Sequence, residues 1–326
     1  MKYRTFGDLG WKVSEVGLGC WEIGGCWGNV SKKDAKELLK KALDKGINFF
    51  DTSDVYGDGR SEKFLGELIK STSEKIFITT KSGLRLLPFI PENYNFKNFD
   101  KFIDRSLKNL KVERIDLLQL HCPPIELISK KEVYEMMDLF VQKGKIASYG
   151  VSVFKISEAL QAIQFPNVKS IQIVFNIFRQ KPAETFLREA KKRNIAVIAR
   201  VPLASGLLTG FINKETKFPP NDHRNFNFNG KSFDIGETFS GVNFEKGLKA
   251  VEKLKNLLPK NFSLTDLALK WILMHDEISV VIPGAKNKSQ VQMNTRVTEL
   301  EDISPLLPKI NSIYEEYIKP DVHHRW

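Results

Sequence analysis

Short apolar runs rich in β-branched residues recur along this chain, and between them lie longer segments whose apolar side chains return every three or four positions. The short runs predict eight strands: VGLGCW (16 to 21), NFFDTS (48 to 53), IFITTKS (76 to 82), IDLLQLHC (115 to 122), IASYGVS (146 to 152), SIQIVFN (170 to 176), AVIARVP (196 to 202) and ISVVIPG (278 to 284). The longer segments, among them KKDAKELLKKALDKG, DKFIDRSLKNLKV, KKEVYEMMDLFVQKGK and AETFLREAKKRN, carry the helical period. Several close on Gly or Asn, which stop a helix by accepting a left-handed backbone. Strands that are apolar on both faces and alternate with helices belong to a parallel sheet covered on its outside. Eight such units predict an α/β fold, a (β/α)₈ TIM barrel. An open doubly wound sheet is the rival, but the first strand runs into GLGCWEIGG, which lacks the G-x-G-x-x-G phosphate fingerprint.

A barrel core takes roughly 250 residues, and the 326 residues here are expected to form a single domain over 1–326. The surplus goes to three places. The stretch YRTFGDLGWKVSEVG predicts an N-terminal β-hairpin turning at GDLG and capping the bottom of the barrel. A long loop follows the seventh strand, from Leu203 to Phe244, with FPPNDHRNFNFNGKSF inside it lacking helical period. A loop of that length is usually functional or disordered. The segment SPLLPKINSIYEEYIKP predicts an extra C-terminal helix, and DVHHRW after it is expected to fold over the pocket.

Composition narrows the class. The chain is 42% hydrophobic and 27% charged, and no apolar run approaches the ~18 residues a membrane helix needs. Its opening residues lack a signal-peptide pattern, so a cytoplasmic protein without a membrane partner is expected. Cys20, Cys26 and Cys122 cannot all pair and match no zinc spacing, which predicts reduced thiols and no metal. Cys122 reads as a small residue filling a strand end. The net charge of +11 invites a nucleic-acid partner, yet the lysines alternate with acids on helix-like segments, and solvated faces are the expected reading.

Candidate chemistry concentrates at strand ends. Asp51, Lys81 and His121 end the second, third and fourth predicted strands, and Tyr56 follows Asp51 in FDTSDVYG. Working groups in such barrels lie at the C-terminal strand ends, so the four converge on one rim. Each alone has an ordinary explanation as a rim ion pair, packing or a satisfied core histidine. Together their roles are complementary. A tyrosine, with a pKa of about 10, holds a donatable proton at neutral pH. A lysine beside it favours the phenolate, and a buried lysine needs a partner such as Asp51. His121 would hydrogen-bond the oxygen that Tyr56 protonates.

These residues carry a resemblance to the aldo-keto reductases. The similarity runs from YRTFGDLGWKVSEVGLGCW through FDTSDVYGDGRSEKFLGELI, TTKSG, DLLQLHCP, GKIASYGVS, IQIVFNIF and VPLASGLLTG to VIPGAKNKSQVQMN. It implies a (β/α)₈ barrel whose catalytic tetrad is Asp51, Tyr56, Lys81 and His121. The implied reaction is hydride transfer from NADPH to the carbonyl carbon of an aldehyde or ketone, with Tyr56 giving the proton. Histidine at 121, where steroid double-bond reductases of the family carry glutamate, favours carbonyl reduction. The alternative implied by the same family is a cofactor-binding regulatory subunit with little catalysis.

The resemblance also assigns a cofactor groove for NADPH/NADP, with NADH as the second option. Ser152 and Gln172 match the carboxamide positions, while the asparagine usual beside them is Val153. Trp21 and Arg200 would lie against the nicotinamide, Arg200 replacing an aromatic ring with its planar guanidinium. Pro202, Leu203, Ser205 and Leu208 match the pyrophosphate loop. The lysine usual after that TG is Phe211, which leaves Lys214 as the substitute. Gly284, Lys286, Gln290 and Asn294 match the adenosine end, and Lys286 with Arg224 favours NADPH. Trp21, Trp27, Tyr56 and His121 would face a small-molecule carbonyl substrate.

Overall fold

The computed structural model describes every residue of the chain except Cys26. Strands β1 (Tyr3–Phe6) and β2 (Trp11–Ser14) form the expected antiparallel hairpin, pairing Tyr3 with Ser14 and Phe6 with Trp11. Its inner face closes the bottom of the barrel. Phe6 and Val13 pack with Phe49, Phe77, Leu117, Ile198 and Val280 in one buried apolar cluster.

Eight parallel strands follow: β3 (Leu18–Gly19), β4 (Phe49–Asp51), β5 (Phe77–Ser82), β6 (Ile115–His121), β7 (Ile146–Ser152), β8 (Val168–Val174), β9 (Ala196–Arg200) and β10 (Ile278–Val281). Each pairs with the next in sequence. Closure runs between the first and last, where Val16 bridges Val281 and Gly19 bridges Gly284. There the Gly17 N–H donates to the Val281 carbonyl at 2.8 Å, and the Val281 N–H donates to Glu15 at 3.0 Å. With closure no sheet edge is left open.

The predicted strands are all present, though the runs 16–21, 48–53, 196–202 and 278–284 each yield a strand at least two residues shorter. The run 16–21 yields only Leu18–Gly19, because the chain curls over the rim into a one-turn helix, Trp21–Gly24. Pro202 and Pro283 lack the N–H a ladder needs, and β9 and β10 stop before them.

The connecting helices show why their sequences fold so. Helix Phe96–Leu110 starts at Asn95, whose side chain accepts from the Asn98 N–H, and buries Phe99, Ile103, Ser106 and Leu110 along one face. Each large apolar side chain buried this way contributes about 1.5–3 kcal/mol. The helices outside β3 and β10, Lys32–Asp44 and Lys288–Thr295, pack against each other across the closure.

Among the described residues the long loop holds short helical turns, at Ala204–Thr209, His223–Phe226, Ile235–Glu237 and Phe239–Gly241. The extra C-terminal segment is helical from Leu307 through Val322 with a wide turn at Tyr314–Ile318. Its final residues do not cover the main cavity. Trp326 instead packs its ring 3.3 Å from the Arg179 guanidinium carbon and against Gly236 and Gly241, supporting the long loop from outside. Among the described residues no helix is long and apolar enough to cross a membrane.

Candidate active site

The strand register sets the site. Asp51 is opposite Thr79, Lys81 opposite Gln119, His121 opposite Ser152, and Ser152 opposite Gln172. Alternation along each strand then turns these polar side chains toward the same upper barrel end.

Tyr56 comes from the loop after β4, and that loop is tightly held. Its N–H donates to Ser53 at 3.1 Å. Arg85 Nη2 donates to the Asp54 carbonyl at 2.8 Å, and Arg105 Nη2 to Asp58 Oδ1 at 2.8 Å. Gly57, at φ +59°, lies so close to the helix Trp21–Gly24 that a Cβ would collide with the Gly24 carbonyl. The tyrosine ring therefore stacks on Trp21, with centroids 5.8 Å apart.

Lys81 is 1% exposed and Asp51 3%, a buried pair at the cavity floor. Lys81 Nζ donates to Asp51 Oδ2 at 2.5 Å, to the Thr52 carbonyl at 2.8 Å and to the Tyr56 hydroxyl at 3.4 Å. Asp51 Oδ1 accepts from Gln172 Nε2 at 2.7 Å and Gln119 Nε2 at 3.3 Å. Such pairing is what makes a buried lysine and aspartate tolerable. His121 Nδ1 shares a 3.0 Å hydrogen bond with Ser53 Oγ, leaving Nε2 for the cavity side, and its ring stands edge-on to Tyr56.

Proton affinities follow from this setting. Burial, followed by the negative charges of Asp51 and Glu237, raises the Tyr56 phenol well above its usual value. The expectation from a neighbouring lysine alone was the reverse, and burial outweighs it. The phenol is consequently protonated over the whole physiological range. Burial, with Lys81 and Arg200 adding, lowers His121 well below the usual imidazole range, so its ring is neutral. Burial pushes the Cys122 thiol up to about 12, in keeping with a packing role. Cys20 is a free buried thiol too, while Cys26 lies outside the described residues.

These groups open into a cavity of about 590 Å³. Its walls bring together most of the sequence-predicted set: Trp21, Trp27, Asp51, Tyr56, His121, Ser152, Gln172, Arg200, Pro202, Leu203, Ser205, Arg224, Gly284, Lys286, Gln290 and Asn294 all line it. Lys81 lies beneath them. Leu208 does not reach the cavity, because its side chain is fully buried in the core. Lys214 stays outside too, exposed and 3.7 Å from Glu245.

Several partners were not foreseen. Gln119 stands two residues before His121 on the same strand face, and its place in the apolar run DLLQLH was a usable signal. Gln172 spends a donor on Asp51 rather than standing free. Arg200 donates from Nη2 to the Val153 carbonyl at 2.9 Å and pairs with Glu237 of the long loop. That contact joins residues 37 apart in sequence, and nothing local announced it. Burial works against the Arg200 charge, but Glu237 more than compensates and holds it above the usual range. Leu84, Phe154 and Phe233 add apolar wall.

The cavity suits a dinucleotide. One end carries Lys286 and Arg224, fit to neutralise phosphate, and the other carries the Tyr56 and His121 pair between aromatic walls. Arg200 Nε is buried without a partner among the described residues, a donor still to be satisfied.

A family model described as "Aldo/keto reductase family" matches residues 15–307. Aldo-keto reductase YhdN of Bacillus subtilis is 31% identical over 99% of this chain and 96% of its own length. A probable voltage-gated potassium channel subunit beta of Arabidopsis thaliana is 30% identical over 95% of this chain and 94% of its own. Among solved structures, the glycerol dehydrogenase AKR11B4 of Gluconobacter oxydans superposes with a TM-score of 0.80, at 29% identity over 97% of this chain and 96% of that one.

Proposed function

The chain belongs to the aldo/keto reductase family, whose members are NAD(P)H-dependent oxidoreductases, and from that premise we propose that it reduces aldehyde or ketone carbonyls to alcohols with NADPH. The observation that carries this reading is the Tyr56 hydroxyl, 3.4 Å from Lys81 Nζ at the cavity floor. When bound, the nicotinamide supplies the hydride. Tyr56 holds the matching proton. Because Lys81 donates to the phenol oxygen, the phenolic hydrogen is free to point into the cavity toward a carbonyl oxygen. After that proton leaves, the ammonium beside the phenolate stabilises it in a site where little water screens the charge.

Asp51 keeps Lys81 charged and fixed, and Gln119 and Gln172 keep Asp51 oriented. A neutral His121 offers a hydrogen bond to the carbonyl oxygen without competing as an acid. Lys286, Arg224, Gln290 and Asn294 would hold the phosphate and adenosine end, with Ser152, Arg200, Pro202, Leu203 and Ser205 along the rest of the groove. Trp21, Trp27, Leu84, Phe154 and Phe233 favour apolar or flat carbonyl compounds.

The Arabidopsis relative is described as a probable potassium channel subunit, and that favours a second reading in which this chain is a cofactor-binding regulatory subunit with little catalysis. One experiment separates the two. NADPH oxidation is followed with a panel of aldehydes, ketones and quinones for the wild type and Tyr56→Phe. The expected outcome is turnover that falls about 10²-fold or more in Tyr56→Phe, with NADPH affinity kept. Undiminished turnover in the variant removes the proton donor. Tight NADPH binding without turnover on any substrate favours the subunit.

A further inference from the structure

Glu22 lines the same cavity, on the side of Gly284 and Lys286. Its carboxyl group rests directly on the Gly284 backbone, so a Cβ at that glycine would collide with both carboxylate oxygens. Gly284 bridges Gly19 across the barrel closure, which makes this a fixed part of the rim. A glycine there is what lets a ligand approach the backbone closely, and Glu22 occupies the approach.

Charged and titratable groups face Glu22 from every side. Lys286 comes from the segment after β10, its ammonium lying 3.9 Å from where a Gly28 side chain would begin. Arg224 and Asp222 come from the long loop, where they pair with each other at 2.7 Å, and His223 packs on Trp21 and Trp27. The Cys20 thiol lies on the same segment, while Arg60, near Gly25, is turned to the Val30 carbonyl and the Phe64 ring. Among the described residues none of these cations closes an ion pair with Glu22. Burial, with Asp222 adding, lifts its carboxyl to about 7, against the pull of its own backbone N–H first and then of Lys286 and Arg224.

We propose that Glu22 is a gate on the dinucleotide groove: its carboxylate fills the space over Gly284, and a phosphate-bearing cofactor binds there only when that carboxylate is neutralised or turned away. This inference rests on the dinucleotide reading above. An ionised carboxylate repels the phosphates where water is scarce, and a protonated one does not. With the carboxyl raised, Glu22 is neutral below about pH 7 and charged above it. Cofactor affinity is then highest in mild acid and falls as the pH rises, and by linkage binding takes up a proton near neutrality.

The test titrates NADPH and NADH into wild type, Glu22→Gln and Glu22→Ala at pH 6, 7 and 8, read by quenching of tryptophan fluorescence. NADH lacks the 2′-phosphate, whose own titration would add to the slope. The wild-type Kd for NADH is expected to rise roughly tenfold from pH 6 to pH 8. Both variants are expected to give flat NADH profiles and to bind roughly tenfold tighter than wild type at pH 8. Parallel profiles for wild type and Glu22→Gln overturn the gate. Weaker binding by Glu22→Ala at every pH also overturns it, since Glu22 would then be a cofactor contact. If none of the three proteins binds NADPH or NADH, the dinucleotide reading fails and the gate with it.

Discussion

Lys81 has three hydrogens to donate, and Asp51, Thr52 and Tyr56 take them. That saturation is why a cation can sit 1% exposed at the bottom of a barrel. It also fixes the direction of the Tyr56 hydrogen bond, so the phenol can only donate outward. Lys286 is the opposite kind of lysine. It is half-buried, and burial together with Arg224 lowers its proton affinity, which a phosphate would restore. Lys286→Glu is therefore expected to raise the Kd for NADPH by about ten- to hundredfold, the loss of one charge-assisted contact, and to change the Kd for NADH far less. Calorimetric titration of both cofactors checks this, and an unchanged NADPH affinity takes Lys286 out of the phosphate site.

Among elements, the long loop after β9 carries the largest consequences for the site. It is latched to the rest of the chain where Glu237 pairs with Arg200 and where Asp222 bridges Trp27, and it is braced internally where Ser205 Oγ donates to the Glu237 carbonyl at 2.8 Å. Trp326 supports it from the far side. Removing one partner of a buried pair strands the other, at a cost of about 3 kcal/mol or more. Glu237→Ala is expected to lower the urea midpoint and to speed proteolytic cutting within residues 213–243 several-fold while cutting elsewhere stays slow. Equal rates in variant and wild type would mean that the latch does not hold the loop. The length of this loop and its Pro, Gly and Asn content marked it in the sequence as functional or disordered. Its anchor was illegible, because Glu237 sits in a segment without periodicity to align it with Arg200 at the end of β9.

For the whole molecule, the barrel gathers groups from β3, β4, β6, β7, β8 and β9 and from the loops that follow the strands around one cavity, so a ligand that fills it touches the two ends of the closure together. A cofactor bound only by the folded state stabilises that state by about 2.7 kcal/mol at a hundredfold its Kd. NADH held at one concentration, a hundredfold its Kd at pH 6, is expected to raise the thermal midpoint by a few degrees there and by less at pH 8 if Glu22 gates the groove. An unmoved midpoint at either pH argues against a dinucleotide site. Differential scanning fluorimetry provides the measurement.

Alternating apolar runs determined the eight strands, the hairpin and the extra C-terminal helix, because a residue's burial on a strand or helix face is a local periodicity. Ionisable residues at the ends of those runs determined Asp51, Lys81 and His121 as candidates for the same reason. Tertiary structure alone decided the rest. Gln119 and Gln172 became supports of Asp51, Leu208 fell into the core, Glu237 reached Arg200, and Glu22 came to rest on Gly284. Each of those outcomes depends on distances closed between segments far apart in the chain. Apart from the placing of Gln119 in an apolar run, no pattern along the chain encodes them, since these contacts exist only once the barrel has closed.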